Sequence, residues 1–127
     1  MKRVLIADDN KIVRRMLKLV LARVPDVAVC GEASNGRETV EAARKLVPDV
    51  MILDVRMPEL NGIEAASIVK KDLPKTKILL FTMYGELVGP KIASVSGIDV
   101  VLPKVEGAAA LVNAIERIVG YDSPRWA

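Results

Sequence analysis

The sequence predicts an α/β fold: a three-layer sandwich with a five-stranded parallel sheet between two layers of helices. Three observations carry the prediction. Five short runs recur, "RVLIAD", "VAVCGEA", "VMILDV", "KILLFT" and "DVVLP", each too short for a helix and rich in Val, Ile or Leu. Segments with helical apolar spacing separate them, and strict alternation of strand and helix implies a parallel sheet with right-handed crossovers. The first, third and fourth runs are nearly continuous in apolar character, which is how strands covered on both faces read.

The elements follow in order. After the first run, residues 11–24 place Val13, Leu17, Val20 and Val24 on one helical stripe, with Ile12, Met16 and Leu19 beside it. After the second run, residues 36–46 form a helix with Val40, Ala43 and Leu46 or Val47 on its apolar face. The third run, residues 50–55, leads into a helix over 62–73 carrying Ile63, Ala66 and Val69 or Leu73. The fourth run is followed by the weakest helix of the set. Gly89-Pro90 interrupts residues 85–97, so a short or irregular fourth helix is expected to start near Pro90, where proline suits a first turn, after a mobile loop. The last helix spans 108–119, with Leu111, Val112, Ile115, Ile118 and Val119. Residues 1–120 therefore read as one domain, and 121–127, including Trp126, as a frayed tail or the start of a linker.

Composition narrows the chemistry. The 127 residues suit one domain, and a charged fraction of 28% is ordinary. One Phe, two Tyr and one Trp leave the core to aliphatic side chains. The chain has no histidine, which removes the commonest general base, the His-dependent triads and the usual zinc sites. Its single cysteine, Cys30, allows no internal disulfide and no CxxC metal site, and it reads as a small buried hydrophobe. A net charge of +3 is too small to argue for nucleic acid. No apolar run is long enough for a signal peptide or a membrane span, so a cytoplasmic protein without membrane contact is expected.

Polar residues end four of the five runs: Asp8 and Asp9 the first, Asp54 the third, Thr82 the fourth and Lys104 the fifth. In an open parallel sheet, ligands bind at the carboxyl ends of the strands. Three carboxylates, a hydroxyl and an ammonium are thus expected in one crevice. Three close carboxylates raise one another's pKa unless a cation relieves them, and Mg²⁺ takes such oxygen ligands. Lys104 adds a second positive centre. Together they suit a phosphoryl group, with a central carboxylate able to act as nucleophile and form an acyl phosphate.

The pieces "LIADDN", "ILDVRMPELNG", "LLFT" and "LPK", in this order over residues 3–119, resemble the receiver domain of bacterial two-component response regulators. The resemblance implies a flavodoxin-like sheet in the order 2-1-3-4-5 with five helices. It implies that Asp54 accepts phosphate from a phosphohistidine of a sensor histidine kinase or a histidine phosphotransfer domain. Asp8 and Asp9, with Asp54 and the backbone carbonyl of Arg56, would hold Mg²⁺. Lys104 would pair with the phosphoryl group, and Thr82 would turn toward it and transmit the state. Arg56 and Tyr84 would overhang the pocket and tune the lifetime of the phosphoprotein. Lys11, Arg14, Arg15 and Lys18 form a basic stripe on the first helix that is either a solvated face or the kinase docking surface. A homodimer formed on phosphorylation, and DNA contact only through an output domain outside these residues, are further implications. The chain departs from the family pattern at Val101, where an aromatic residue is frequent, and at Pro103, which precedes the lysine instead of following it.

Other readings of the same residues stand beside this one. Asp8, Asp9 or Asn10 can serve as a helix cap. Thr82 or Lys104 alone carries little information, and Lys70-Lys71 reads as surface charge. Haloacid-dehalogenase-like phosphatases use similar residues, but they need an acid two positions after the nucleophile, where this chain has Arg56. A pseudo-receiver that binds partners without phosphorylation is the third reading. Against both, the receiver reading is a phosphoacceptor signalling domain and not an enzyme acting on a separate metabolite.

Overall fold

The computed structural model describes residues 1–83 and 88–120. The elements run β1 (Lys2–Ala7), α1 (Lys11–Leu21), β2 (Val27–Ala33), α2 (Gly36–Leu46), β3 (Val50–Leu53), α3 (Gly62–Asp72), β4 (Lys77–Thr82), α4 (Pro90–Ser96), β5 (Val100–Pro103) and α5 (Gly107–Gly120), with a 3₁₀ turn over Lys104–Glu106. All five strands are parallel in the order β2-β1-β3-β4-β5, as the sequence led us to expect. The fourth helix is short and begins at Pro90. No helix among the described residues is long and apolar enough to cross a membrane.

The strands divide their side chains between two cores. Leu5, Ala7, Met51, Leu53, Ile78 and Leu80 face α2 and α3 and pack on Val40, Ala43, Ala66 and Val69. Val4, Ile6, Val50, Ile52, Leu79 and Phe81 face α1 and α5 and pack on Leu17, Leu21, Leu111 and Ile115. This alternation follows from the two-residue period of a strand, and the near-continuous apolar runs are its direct consequence. Cys30 is half-buried where the β1–β2 register shifts, and burial pushes its thiol pKa up.

Two features differ from the sequence reading. The buried stripe of α1 centres on Leu17 and Leu21, while Ile12 (79% exposed) and Leu19 (66%) face outward with Met16. Lys70 is not simple surface charge. Its ammonium donates to the Thr76 carbonyl at 2.8 Å and to Asp99 at 2.7 Å, and Asp99 also accepts from the Ile78 amide at 2.8 Å. Lys70 thus ties α3 to the start of β4 and the approach to β5.

Candidate functional site

Register brings the strand ends together. Ala7 pairs with Leu53, so Asp8 and Asp54 each lie one residue beyond that rung. Thr82 pairs with Pro103, which puts Lys104 one residue past the last rung of the neighbouring pair. The Asp54 amide donates to the Ala7 carbonyl at 3.0 Å and the Asp8 amide to the Ala33 carbonyl at 3.1 Å, so both acids start from anchored backbone. Asn10 takes the capping role, accepting from the Ile12 and Val13 amides at 2.9 and 3.3 Å. Neither aspartate is the N-cap of α1.

Asp8 is 2% exposed and Asp54 7%, whereas Asp9 is exposed. Carboxylate oxygens of the three lie within 4.8 Å of one another. The Lys104 ammonium bridges the two buried acids, at 2.8 Å from Asp8 and 3.0 Å from Asp54. The remaining oxygens of these acids are held too: Asp8 accepts from the Asn10 amide at 2.9 Å and Asp54 from the Val55 amide at 2.7 Å. Burial pushes the Asp8 carboxyl above its ordinary value, and the Asp54 charge adds to that. The bonds from Lys104 and Asn10 offset only part of the rise. For Lys104, burial alone would lower the ammonium pKa, but the bonds to Asp8 and Asp54 and their charges outweigh it and leave the value raised. The site is therefore an acid cluster neutralised on one side by a lysine and open on the other at Asp9.

That donor set suits a hard divalent cation. All three donors are carboxylate oxygens, and Mg²⁺ is usually held by one or two carboxylates with water filling the other positions. Exposed Asp9 gives the cation a route from solvent.

The loop after β3 owes its path to a close approach. A Cβ at Gly62 would lie 1.9 Å from the Asp54 carbonyl oxygen, so only glycine lets α3 start here. The Gly62 amide donates to the Val55 carbonyl at 2.8 Å, and Asn61 caps α3 through the Glu64 amide at 2.9 Å. Within this loop Met57 is buried and Arg56 exposed. Thr82 is fully buried at the end of β4. Val101 is half-buried against the α2–α3 core, with none of the bulk of an aromatic ring. Tyr84, the other residue assigned to lifetime tuning, lies outside the described residues, as do residues 121–127.

The basic stripe of α1 is split. Arg14 and Lys18 both reach Glu32 on β2, at 3.2 and 2.9 Å, and Arg14 also donates to the Asp8 carbonyl at 2.7 Å. Lys11 and Arg15 are exposed. The Arg14 contact with the acid-bearing strand end went unnoticed in the sequence, where only its place in the stripe was visible.

Comparison with known proteins agrees with this geometry. A family model described as the response regulator receiver domain matches residues 4–116. The chain is 34% identical over 121 residues to the response regulator protein VraR of Staphylococcus saprophyticus, covering 95% of this chain and 58% of that protein. The chain thus spans about half the length of the curated relatives it matches. Among solved structures, the response regulator domain of Thermotoga maritima CheB superposes with a TM-score of 0.82 at 31% identity, covering 94% of each chain. The receiver domain of the putative response regulator NarL of Mycobacterium tuberculosis gives 0.80 at 30% identity, covering 94% of this chain and 97% of that one.

Proposed function

The chain belongs to the response regulator receiver domain family, whose general function is to accept a phosphoryl group, and from that premise we propose that Asp54 is the acceptor. The observation that carries this reading is a buried carboxylate at the tip of β3, bridged to Lys104 at 3.0 Å, with Asp8 and Asp9 alongside.

The donor, as membership of the receiver family implies, is a phosphohistidine on a sensor kinase or a histidine phosphotransfer domain, and a chain without histidine fits a donor supplied by a partner. A carboxylate oxygen of Asp54 attacks phosphorus as the phosphorus–nitrogen bond breaks. The donor nitrogen keeps the electron pair, and Asp54 becomes an acyl phosphate. Lys104, already on Asp54, moves to the incoming phosphoryl oxygens and offsets their charge. Asp8, Asp9, Asp54 and the Arg56 carbonyl would hold Mg²⁺, which when bound would supply a second positive charge to offset that of the phosphoryl oxygens. Thr82 is the residue that reads the new group, and Arg56 limits water access to it. With Val101 beside β4, the readout does not rely on an aromatic side chain moving inward. Exposed Ile12, Met16 and Leu19, flanked by Lys11 and Arg15, form the surface of α1 that meets the donor.

Incubation with acetyl phosphate, followed by intact-mass spectrometry, tests this. The wild type gains one phosphoryl group only when Mg²⁺ is present, and Asp54→Asn gains none. Equal labelling of Asp54→Asn would remove Asp54 from the role.

A further inference from the structure

We infer that the corner between β2 and α2 acts, through Gly36, as a positioning clasp for the loop that carries the Arg56 carbonyl. This rests on the reading of the acid cluster as a Mg²⁺ pocket.

Gly36 is buried at the first turn of α2, directly beneath the crown of the β3–α3 loop. Its amide donates to the Pro58 carbonyl at 3.4 Å. A Cβ at this position would lie 1.8 Å from the Leu60 carbonyl oxygen, 2.5 Å from its carbon and 2.6 Å from the Leu60 Cβ. Two of those three atoms are backbone, so no rotamer change relieves the contact. The crown itself is strained: Glu59 has φ of 69°, and Leu60 donates back to the Pro58 carbonyl at 2.8 Å in a tight turn. A non-glycine residue in that region persists only where its surroundings hold it.

The corner is well placed to do the holding. Asn35 caps α2 by accepting from the Glu38 amide at 2.8 Å, the Ser34 hydroxyl meets Glu38 at 2.9 Å, and the Thr39 hydroxyl donates to the Asn35 carbonyl at 2.7 Å. The preceding residue, Ala33, accepts the Asp8 amide at 3.1 Å. One capped corner therefore touches both sides of the pocket: the Asp8 strand end through Ala33 and the Pro58–Leu60 crown through Gly36. Arg56 lies between Val55, held by the Gly62 amide, and Pro58, held by the Gly36 amide. A methyl group at Gly36 requires the start of α2 and the Leu60 carbonyl to separate by about 1.2 Å (3.0 − 1.8) to reach even a tight contact. Metal ligation tolerates only about 0.2 Å.

The test is Mg²⁺ titration calorimetry on the full chain after chelator treatment, wild type against Gly36→Ala, with thermal melts and backbone amide spectra in chelator. The clasp requires Mg²⁺ affinity to fall by about tenfold or more in a cooperatively folded variant, as loss of an outer support commonly does. It also requires the Val55–Gly62 amides to shift without any metal. A Gly36→Ala variant that folds, melts lower and binds Mg²⁺ to within about twofold of wild type would show a merely structural glycine. Should Gly36→Ala not fold, Asn35→Ala, which removes the cap that holds the corner and leaves the loop's own residues unchanged, is judged by the same two readouts. If the wild type binds no Mg²⁺, the reading of the pocket falls, and the amides in chelator decide the clasp alone. Unmoved amides overturn it.

Discussion

Replacing Lys104 by methionine keeps most of the side chain's length and removes its charge. Asp8 and Asp54 then face each other, with side chains only 3% and 9% exposed and no ammonium between them. Removing one partner of a buried ion pair costs about 3–5 kcal/mol. Lys104 is itself 15% exposed, so the low end applies, and we expect a loss of about 3 kcal/mol at pH 7 in chelator. For a domain of this size that corresponds to a fall in Tm of roughly 12 °C. The pH dependence has a definite sign. The folded pKa of Asp8 is raised, so its contribution to stability is complete below 3.8 and is lost as the pH climbs through the folded value. Lys104 supplies two of the interactions that hold that value down, so its removal raises the value further and deepens the loss at neutral pH. The deficit of Lys104→Met against wild type therefore shrinks between pH 7 and pH 4. In the wild type, the stabilisation from Lys104 persists until the pH rises through its own value, which is raised above 10.5. Urea denaturation of both proteins in chelator, at pH 4 and pH 7 and again with Mg²⁺, measures all of this, and Mg²⁺ narrows the deficit at pH 7. A deficit below about 1 kcal/mol at pH 7, the range of a solvent-exposed pair, would refute the argument that the ammonium neutralises a buried acid pair.

Three further outcomes are expected. Ile115→Ala, which empties a fully buried position between α5 and the sheet, lowers stability by about 3 kcal/mol in urea denaturation. Lys18→Met removes the hydrogen bond that chiefly holds the Glu32 pKa below 4.5, so the Glu32 value measured by NMR rises toward 4.5. In the wild type, this pairing adds stability above that pH and loses it as the pH falls through the folded value, and high salt weakens it. The double variant Ile12→Ser, Leu19→Ser slows phosphotransfer from the partner kinase by about tenfold or more, as loss of apolar contact area at a docking face does. Labelling by acetyl phosphate, which needs no docking, stays at the wild-type level.

Much of the molecule was legible in the linear pattern. Each of the five apolar runs became a strand, and the three nearly continuous ones are the inner strands β1, β3 and β4, because a segment buried on both faces must be apolar throughout. The bounds of α2 matched the periodic segment 36–46, and α4 began at Pro90, where a fixed φ and a missing amide cost a helix nothing. The bringing together of Asp8, Asp54 and Lys104 was also foreseen, since a parallel sheet places all strand carboxyl ends on one edge.

What escaped depended on how helices dock. Ile12 and Leu19 differ little from Leu17 in sequence, yet they face outward because α1 lies over the sheet along Leu17 and Leu21. Which of two adjacent aspartates is buried, that Arg14 and Lys18 spend their charge on Glu32, and that Lys70 joins Thr76 to Asp99 are all choices between elements distant in sequence. The contact of Gly36 with Leu60 belongs to the same class: the glycine signals that something is near, and only the packed α2 and β3–α3 loop show what it is. Local periodicity and strand-end chemistry are properties of a few consecutive residues, so the sequence by itself determined the layers, the strand ends and the chemistry gathered there. Partnership across the fold is set by helix rotation and by backbone-to-backbone approach, which no short stretch encodes, so the tertiary structure alone decided which charges are buried, which apolar side chains stay exposed and which backbones meet.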